Sequence, residues 1–154
     1  MTPKKVLASY EDRLREDTAT VFHPVTLPLE RRRRRPPGNV LLVDGDPHIL
    51  DEVGCRLVAW GLSVLCEATA SRCLAVLRQE APDLLLLGRR LRDREGLEIL
   101  QEVRKVRPGL PVLMIGVSTP EVREEALRRG AMGVLTRPFS AEDLEREVFR
   151  ALEP

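Results

Sequence analysis

Two runs of arginine are the residues whose type and spacing most directly suggest chemistry. Arg31–Arg35 are consecutive, and the stretch Arg89-Arg90-Leu91-Arg92 opens a second basic segment. Guanidinium groups at this density neutralise phosphates or carboxylates. The first run could therefore contact a nucleic-acid backbone or an acidic partner, and the second run could contact a partner or an anion. Each run also has an ordinary interpretation, the first as a solubilising linker and the second as a solvated surface loop. Aromatic residues make up only 3% of the chain, so base-specific reading is not expected.

Cysteine and histidine spacing gives no sign of a metal centre. Cys55, Cys66 and Cys73 form no CxxC pair, and the chain has only two histidines. We expect the three thiols to be small buried apolar groups in a reducing compartment. No nucleophile–base pair and no glycine-rich phosphate loop appear in the sequence. The sequence therefore predicts a protein that is not an enzyme and that binds no metal and no cofactor.

Charge divides the chain near Asn39. Residues 1–38 hold 9 Lys+Arg against 5 Asp+Glu, whereas residues 39–154 hold 16 against 19, so the overall +1 describes neither part. We predict a basic, Arg/Pro-rich N-terminal extension over 1–38 and one domain over 39–154. No apolar run approaches the ~18 residues of a membrane span. The N-terminus also lacks a secretory signal, so we expect a cytoplasmic protein.

Short apolar runs alternate with helical patterns from Asn39 onward. The runs are Val40–Val43, Leu62–Leu65, Leu84–Leu87, Pro111–Ile115 and Val134–Leu135, and a helical pattern follows each of them. Runs that are apolar on both faces and separated by helices indicate parallel strands. The fold expected is α/β, a doubly wound five-stranded parallel sheet with helices on both faces. Loops at the carboxyl ends of its strands would build the site.

Five segments carry a more specific pattern. They read NVLLVDGDPHIL, APDLLLLG, REGLEIL, LPVLMIG and RRGAMGVLTRPFSAEDL, on the predicted strands and the loops beyond them. This text resembles the receiver domain of two-component response regulators and implies the flavodoxin-like (CheY-like) form of the fold. The resemblance covers 116 of the 154 residues. Because the sequence stops after the fifth helix, we expect a stand-alone domain without an effector.

The resemblance also identifies a site. Members of the family accept a phosphoryl group on an aspartate that ends the third strand, beside Mg²⁺ held by two acidic residues after the first. At the matching positions this sequence has Gly88 as the acceptor, and Asp44 followed by Gly45 as the acidic pair. Glycine offers no nucleophile, and one carboxylate with backbone oxygens is a poor Mg²⁺ site. The sequence predicts a degenerate receiver, a pseudo-receiver, that is not phosphorylated.

The residues that transmit phosphorylation in the family are replaced as well. The Thr/Ser position after the fourth strand is Gly116, the aromatic position of the fifth strand is Val134, and the lysine beyond it is Arg137. Asp44 is then either a relic or one partner in a structural ion pair, with Arg137, Arg89 or Arg90 as the other partner. We favour the ion pair. The three glycines could instead open a pocket for a small ligand.

Three functions are compatible with these residues. The first is phosphorylation-independent signalling or regulation through contact with a protein partner, with a homodimer expected. The second is nucleic-acid-associated regulation with Arg31–Arg35 as an electrostatic anchor, and the third is small-ligand sensing in the degenerate pocket. The resemblance suggests the face formed by the fourth helix, fifth strand and fifth helix as the docking surface. The candidate interaction residues are Arg31, Arg32, Arg33, Arg34, Arg35, Arg89, Arg90, Arg92, Arg123, Arg128, Arg146 and Phe149.

Overall fold

A computed structural model describes residues 38–153, in which five strands alternate with five helices. In chain order the elements are β1 (Asn39–Val43), α1 (Pro47–Ala59), β2 (Ser63–Glu67), α2 (Ala70–Gln79), β3 (Leu84–Gly88), α3 (Gly96–Val106), β4 (Val112–Val117), α4 (Pro120–Arg128), β5 (Gly133–Thr136) and α5 (Ala141–Leu152). The predicted basic extension, with Arg31–Arg35, lies outside the described residues.

The five strands form one parallel sheet in the order β2-β1-β3-β4-β5. Side chains of α1 and α5 pack on one face of the sheet, and those of α2, α3 and α4 pack on the other. The central strand β3 is buried along its whole length, as a strand covered on both faces must be. The expected doubly wound, CheY-like architecture is confirmed, and the carboxyl ends of all five strands meet at one edge.

Local capping residues begin the helices at that edge. Asp46 precedes Pro47, and its Oδ1 accepts a hydrogen bond of 2.9 Å from the His48 N–H. Ser140 and Asp143 form the capping box at the start of α5, with bonds of 3.0 and 3.2 Å. These caps fix where each loop ends, and so they limit the conformations that the site loops can adopt.

Several details differ from the expectations, among them the exposure of one thiol and the bounds of β2, β4 and β5. The thiol expected to be buried at Cys55 is exposed on α1, because the inward face of that helix follows Leu50, Val53 and Leu57 instead. Strand β4 runs to Val117 rather than ending at Ile115, because a bulge lets it continue beside β5. None of the helices within residues 38–153 has both the length and the apolar character required to cross a bilayer.

Candidate functional site

The carboxylate of Asp44 lies at the centre of the carboxyl edge, between β1 and β3. Val43 pairs with Leu87 in register, so Asp44 and Gly88 follow side by side at the ends of their strands. Asp44 is only 5% exposed, and its Oδ1 accepts a hydrogen bond of 2.8 Å from the Asp46 N–H. A Cβ placed on Gly88 would lie 2.1 Å from the Asp44 Oδ2. The Asp44 carboxylate therefore fills the space that a side chain at position 88 would need.

Burial sets the ionisation of this carboxyl group. Desolvation raises the pKa of Asp44 from its usual 3.8 to about 6, and the nearby charge of Asp46 adds to the rise. The hydrogen bond from the Asp46 N–H and the positive charge of Arg137 oppose the rise in pKa. Asp44 is thus a buried acid that changes its protonation state close to neutral pH.

Gly45 lets a loop approach the end of β1 closely. Its N–H donates to the Arg90 carbonyl oxygen at 2.9 Å, and a Cβ on Gly45 would lie 2.8 Å from that same oxygen. A side chain at position 45 would therefore collide with the backbone of the β3–α3 loop. The role of this glycine is a close approach of backbone to backbone.

The β3–α3 loop, residues 89–95, continues across β1 and reaches the end of β2. The Arg92 N–H donates to the Ala68 carbonyl oxygen at 3.0 Å. The Asp93 carboxylate accepts from the Ala70 N–H at 2.7 Å and from the Ser71 N–H at 3.1 Å, at the start of α2. Although partial burial opposes it, these backbone bonds hold the pKa of Asp93 below its usual value. This role of Asp93 could not be predicted from the sequence, because no local pattern links Asp93 to Ala70 and Ser71, which lie 23 and 22 positions earlier in the chain.

Arg137 covers the end of β4. Gly116 has a φ of +82°, a left-handed conformation that favours glycine, and it forms the bulge between Ile115 and Val117. The space where a Cβ on Gly116 would lie is 3.1 Å from the Arg137 Nε. The guanidinium group therefore lies against the space that a side chain at position 116 would need.

The expected ion pair of Asp44 is not formed within residues 38–153. Arg137 acts on Asp44 only as a nearby charge, and Arg89 lies beside Glu95, with the Nε 3.7 Å from Oε1. Asp44 is instead bonded to the backbone of Asp46. Side chains lie over two of the three glycines that the sequence offered as a ligand pocket. Asp44 lies over Gly88 and Arg137 over Gly116.

Val134 is buried in β5, where it pairs with Met114 and joins the core shared with α2, α3 and α4. Its carbonyl oxygen accepts a hydrogen bond of 3.3 Å from Arg123 Nη1, which crosses from α4 to β5.

Two other candidate interaction residues form ion pairs within their own helices. Arg128 pairs with Glu125 on α4. On α5, Arg146 bonds Asp143 at 2.8 Å.

Phe149 is half-buried, and its ring packs against Trp60 with the centroids 6.1 Å apart. It therefore belongs to the edge of the core. Two exposed apolar residues were not among the sequence candidates, namely Leu127 at 40% and Met132 at 53%. Exposure of an apolar side chain depends on the packing of distant elements, so the sequence pattern did not single them out.

Comparison with known proteins decides the family. The family model for the response regulator receiver domain matches residues 40–149, which is most of the chain and extends from β1 into α5. The chain belongs to the receiver domain family. Its fold and its strand order agree with this assignment.

Relatives of known name share this receiver domain. The chain is 34% identical over 119 residues to the transcriptional regulatory protein GlrR of Escherichia coli, covering 76% of this chain and 27% of that protein. It is 33% identical over 115 residues to the probable transcriptional regulatory protein TcrX of Mycobacterium tuberculosis, covering 74% and 49%. This receiver thus spans about a quarter to a half of the length of these relatives.

Solved structures show the same domain. A CheY-like receiver domain protein from Methanospirillum hungatei superposes with a TM-score of 0.70 at 33% identity, covering 75% of this receiver and 93% of that chain. The receiver domain of NtrX from Brucella abortus superposes with a TM-score of 0.70 at 35% identity, covering 73% and 97%. The likeness therefore extends over nearly the whole of both solved domains.

Proposed function

We propose that this receiver is a pseudo-receiver, which takes part in two-component signal transduction without accepting a phosphoryl group. It would act in the cytoplasm by binding a protein partner, and it would not act as an enzyme. The observation that carries the proposal is the contact between Asp44 and Gly88. Position 88 has no carboxylate nucleophile, and the neighbouring Asp44 side chain fills the space where one would lie.

The residues present do not fit the Mg²⁺ that the family implies. Mg²⁺ requires several hard oxygen ligands in near-octahedral positions. The acidic position that is retained is Asp44, whose Oδ1 is already bonded to the Asp46 N–H. The other buried carboxylate at this edge, that of Glu67 at the end of β2, lies 3.6 Å from the Arg72 Nη2. The second acidic position is Gly45, against which the loop backbone packs too closely for a side chain. The donor set is therefore too small and partly occupied.

Arg137 and Val134 support the same proposal. Arg137, a cation that belongs to the chain, lies near Asp44 and lowers the pKa of that carboxyl group. Val134 is packed in the core. A buried aliphatic side chain at the switch position has no polar or aromatic group that could change its contacts. We infer that the domain holds a single conformation and offers a constant surface to its partner.

Treatment with a small-molecule phosphodonor such as acetyl phosphate in Mg²⁺ tests the proposal. The expected result is an unchanged intact mass and an unchanged amide NMR spectrum, with beryllofluoride likewise without effect. A phosphorylation-competent receiver treated in parallel supplies the positive control. Addition of one phosphoryl group at an aspartate of this chain would overturn the proposal.

Nucleic-acid-associated regulation is the second candidate. The relatives named above are transcriptional regulatory proteins, and five consecutive arginines precede the receiver in this chain. Electrostatic binding of this kind weakens steeply as salt rises, because neutralised phosphates release their counterions. Binding to duplex DNA that falls with salt, and that is lost when Arg31–Arg35 are changed to serine, would support this function. Absence of binding at low salt would exclude it.

A further inference from the structure

Three arginines at the carboxyl edge of the sheet are left without a partner among residues 38–153. Arg90, Arg92 and Arg137 are exposed, and none of their guanidinium groups forms a hydrogen bond or an ion pair within that range. The backbone of Arg90 lies over β1, that of Arg92 is bonded beside β2, and Arg137 covers Gly116 of β4. We call these three residues the arginine rim.

Several acidic residues at the carboxyl edge are already bonded inside the domain, including Glu67 at the end of β2, which lies 3.6 Å from the Arg72 Nη2. The Asp46 carboxylate accepts from the His48 N–H, and the Asp93 carboxylate accepts from two N–H groups at the start of α2. Glu95 lies beside Arg89, so Arg89 does not belong to the rim. Asp44 is buried beneath the rim and is bonded to the Asp46 N–H. None of these bonds involves a guanidinium group of the rim, so all three groups can still form hydrogen bonds with an outside partner.

The loop that presents Arg90 and Arg92 is held in place by its own backbone. The Leu91 N–H donates to the Arg94 carbonyl oxygen at 3.0 Å, and the Gly96 N–H donates to the Arg89 carbonyl oxygen at 2.6 Å. The side chain of Leu91 is buried, which anchors the middle of the loop. A loop ordered before binding costs less entropy when it binds a partner.

We infer that the arginine rim is a docking surface for an acidic segment of a partner protein. Adjacent strands lie about 4.8 Å apart, so the distance from β2, beside which Arg92 is bonded, to β4, which Arg137 covers, is about 14 Å. That distance is too wide for one small anion to reach every arginine, and it matches several carboxylates spaced along an extended segment. Guanidinium groups bind carboxylates with paired hydrogen bonds, which suits such a segment.

Charge favours a protein segment over nucleic acid at this surface. Residues 39–154 hold more acidic than basic side chains, with 19 Asp+Glu against 16 Lys+Arg. A polyphosphate backbone extending beyond the rim would therefore meet a surface of net negative charge, which repels it. A short acidic segment could be confined to the rim.

The inference deepens the proposed function by naming the surface and the chemistry of the partner. The test uses the full chain with Arg31–Arg35 changed to serine, so that the basic run does not contribute. The probe is a short fluorescein-labelled peptide of alternating glutamate and glycine, measured by anisotropy at low salt. The rim variant is Arg90→Ala, Arg92→Ala and Arg137→Ala together. The matched control removes the same charge from exposed helix positions by Arg56→Ala, Arg78→Ala and Lys105→Ala.

The expected result is that the rim variant binds the peptide about tenfold more weakly, because three ion pairs are lost, whereas the control changes by less than about twofold. Circular dichroism confirms that both variants are folded. Equal weakening in the two variants would overturn the inference, since binding would then follow net charge alone. Tighter rim-dependent binding to a short DNA duplex than to the peptide would also overturn it. Phosphoryl uptake in the separate phosphodonor assay would contradict only the proposed function.

Discussion

The carboxylate of Asp44 lies where a side chain on Gly88 would begin, with only 2.1 Å between the Asp44 Oδ2 and the position of a Cβ on Gly88. The Asp44 side chain and any side chain at position 88 therefore compete for the same space. An acidic residue at position 88 and the observed rotamer of Asp44 exclude each other, because no real Cβ approaches an oxygen so closely. Substitution at one of the two positions should have effects that depend on the other.

The first prediction concerns the variant Gly88→Asp. The new side chain must displace the buried Asp44 carboxylate and places a second acid beside it, so we expect a loss of about 1–3 kcal/mol in the free energy of unfolding. We also expect no phosphorylation by acetyl phosphate, because Gly45 still leaves the metal site incomplete. Urea denaturation and intact mass measure the two effects.

Gly109→Asp is the control for that variant, because nothing lies within 4 Å of a Cβ at this exposed turn. Its unfolding free energy should stay within about 0.5 kcal/mol of the parent protein. The double variant Asp44→Ala, Gly88→Asp should lose less stability than the sum of the two single changes. Strict additivity would mean that Asp44 and Gly88 do not compete for the same space.

The contact between Asp44 and Gly88 also shows where sequence reasoning reaches its limit. The strands, the helix caps and the position of the site were predictable, because apolar periodicity and the Ser140–Asp143 capping box are local patterns. The rotamer of Asp44 and the reach of Asp93 to α2 depend on contacts between elements distant in the chain. The prediction of an ion pair at Asp44 was wrong for the same reason, because the carboxylate accepts a hydrogen bond from the Asp46 N–H instead.

The second prediction concerns stability between pH 4 and pH 7. Burial raises the pKa of Asp44 from 3.8 to about 6, so the folded protein binds this proton more tightly than the unfolded chain does. Asp44 therefore stabilises the fold below about pH 4, and that contribution is lost as the pH rises through 6. The loss amounts to about 2–3 kcal/mol.

Urea unfolding of the parent protein and of Asp44→Asn across this pH range isolates the effect, because all other acids are common to both. The difference between the two free energies of unfolding should move in favour of Asp44→Asn as the pH rises from 4 to 7. A difference that does not vary with pH would show that Asp44 titrates alike in the folded and unfolded chains.

The third prediction concerns the charge of Arg137. Because this guanidinium lowers the pKa of Asp44, the variant Arg137→Gln should raise that pKa further above its value of about 6. The conservative variant Arg137→Lys keeps the charge and should leave the pKa closer to that of the parent protein. Carbon-13 NMR titration of the aspartate carboxyl groups measures the pKa directly. The same titration curve in all three proteins would show that the charge of Arg137 does not affect the pKa of Asp44.

The last prediction concerns Asp93, which joins the β3–α3 loop to the start of α2. The variant Asp93→Ala removes the acceptor for the Ala70 and Ser71 N–H groups, so we expect a loss of about 1–2 kcal/mol in unfolding free energy. Hydrogen exchange at these two amides should become faster, and the loop should lose order, which would weaken presentation of the arginine rim. Asp93→Asn keeps one acceptor oxygen and should restore part of the stability. The exposed Glu52→Ala variant controls for the loss of one negative charge and should change stability by less than about 0.5 kcal/mol. Unchanged amide exchange in Asp93→Ala would show that the loop is held by its backbone bonds alone.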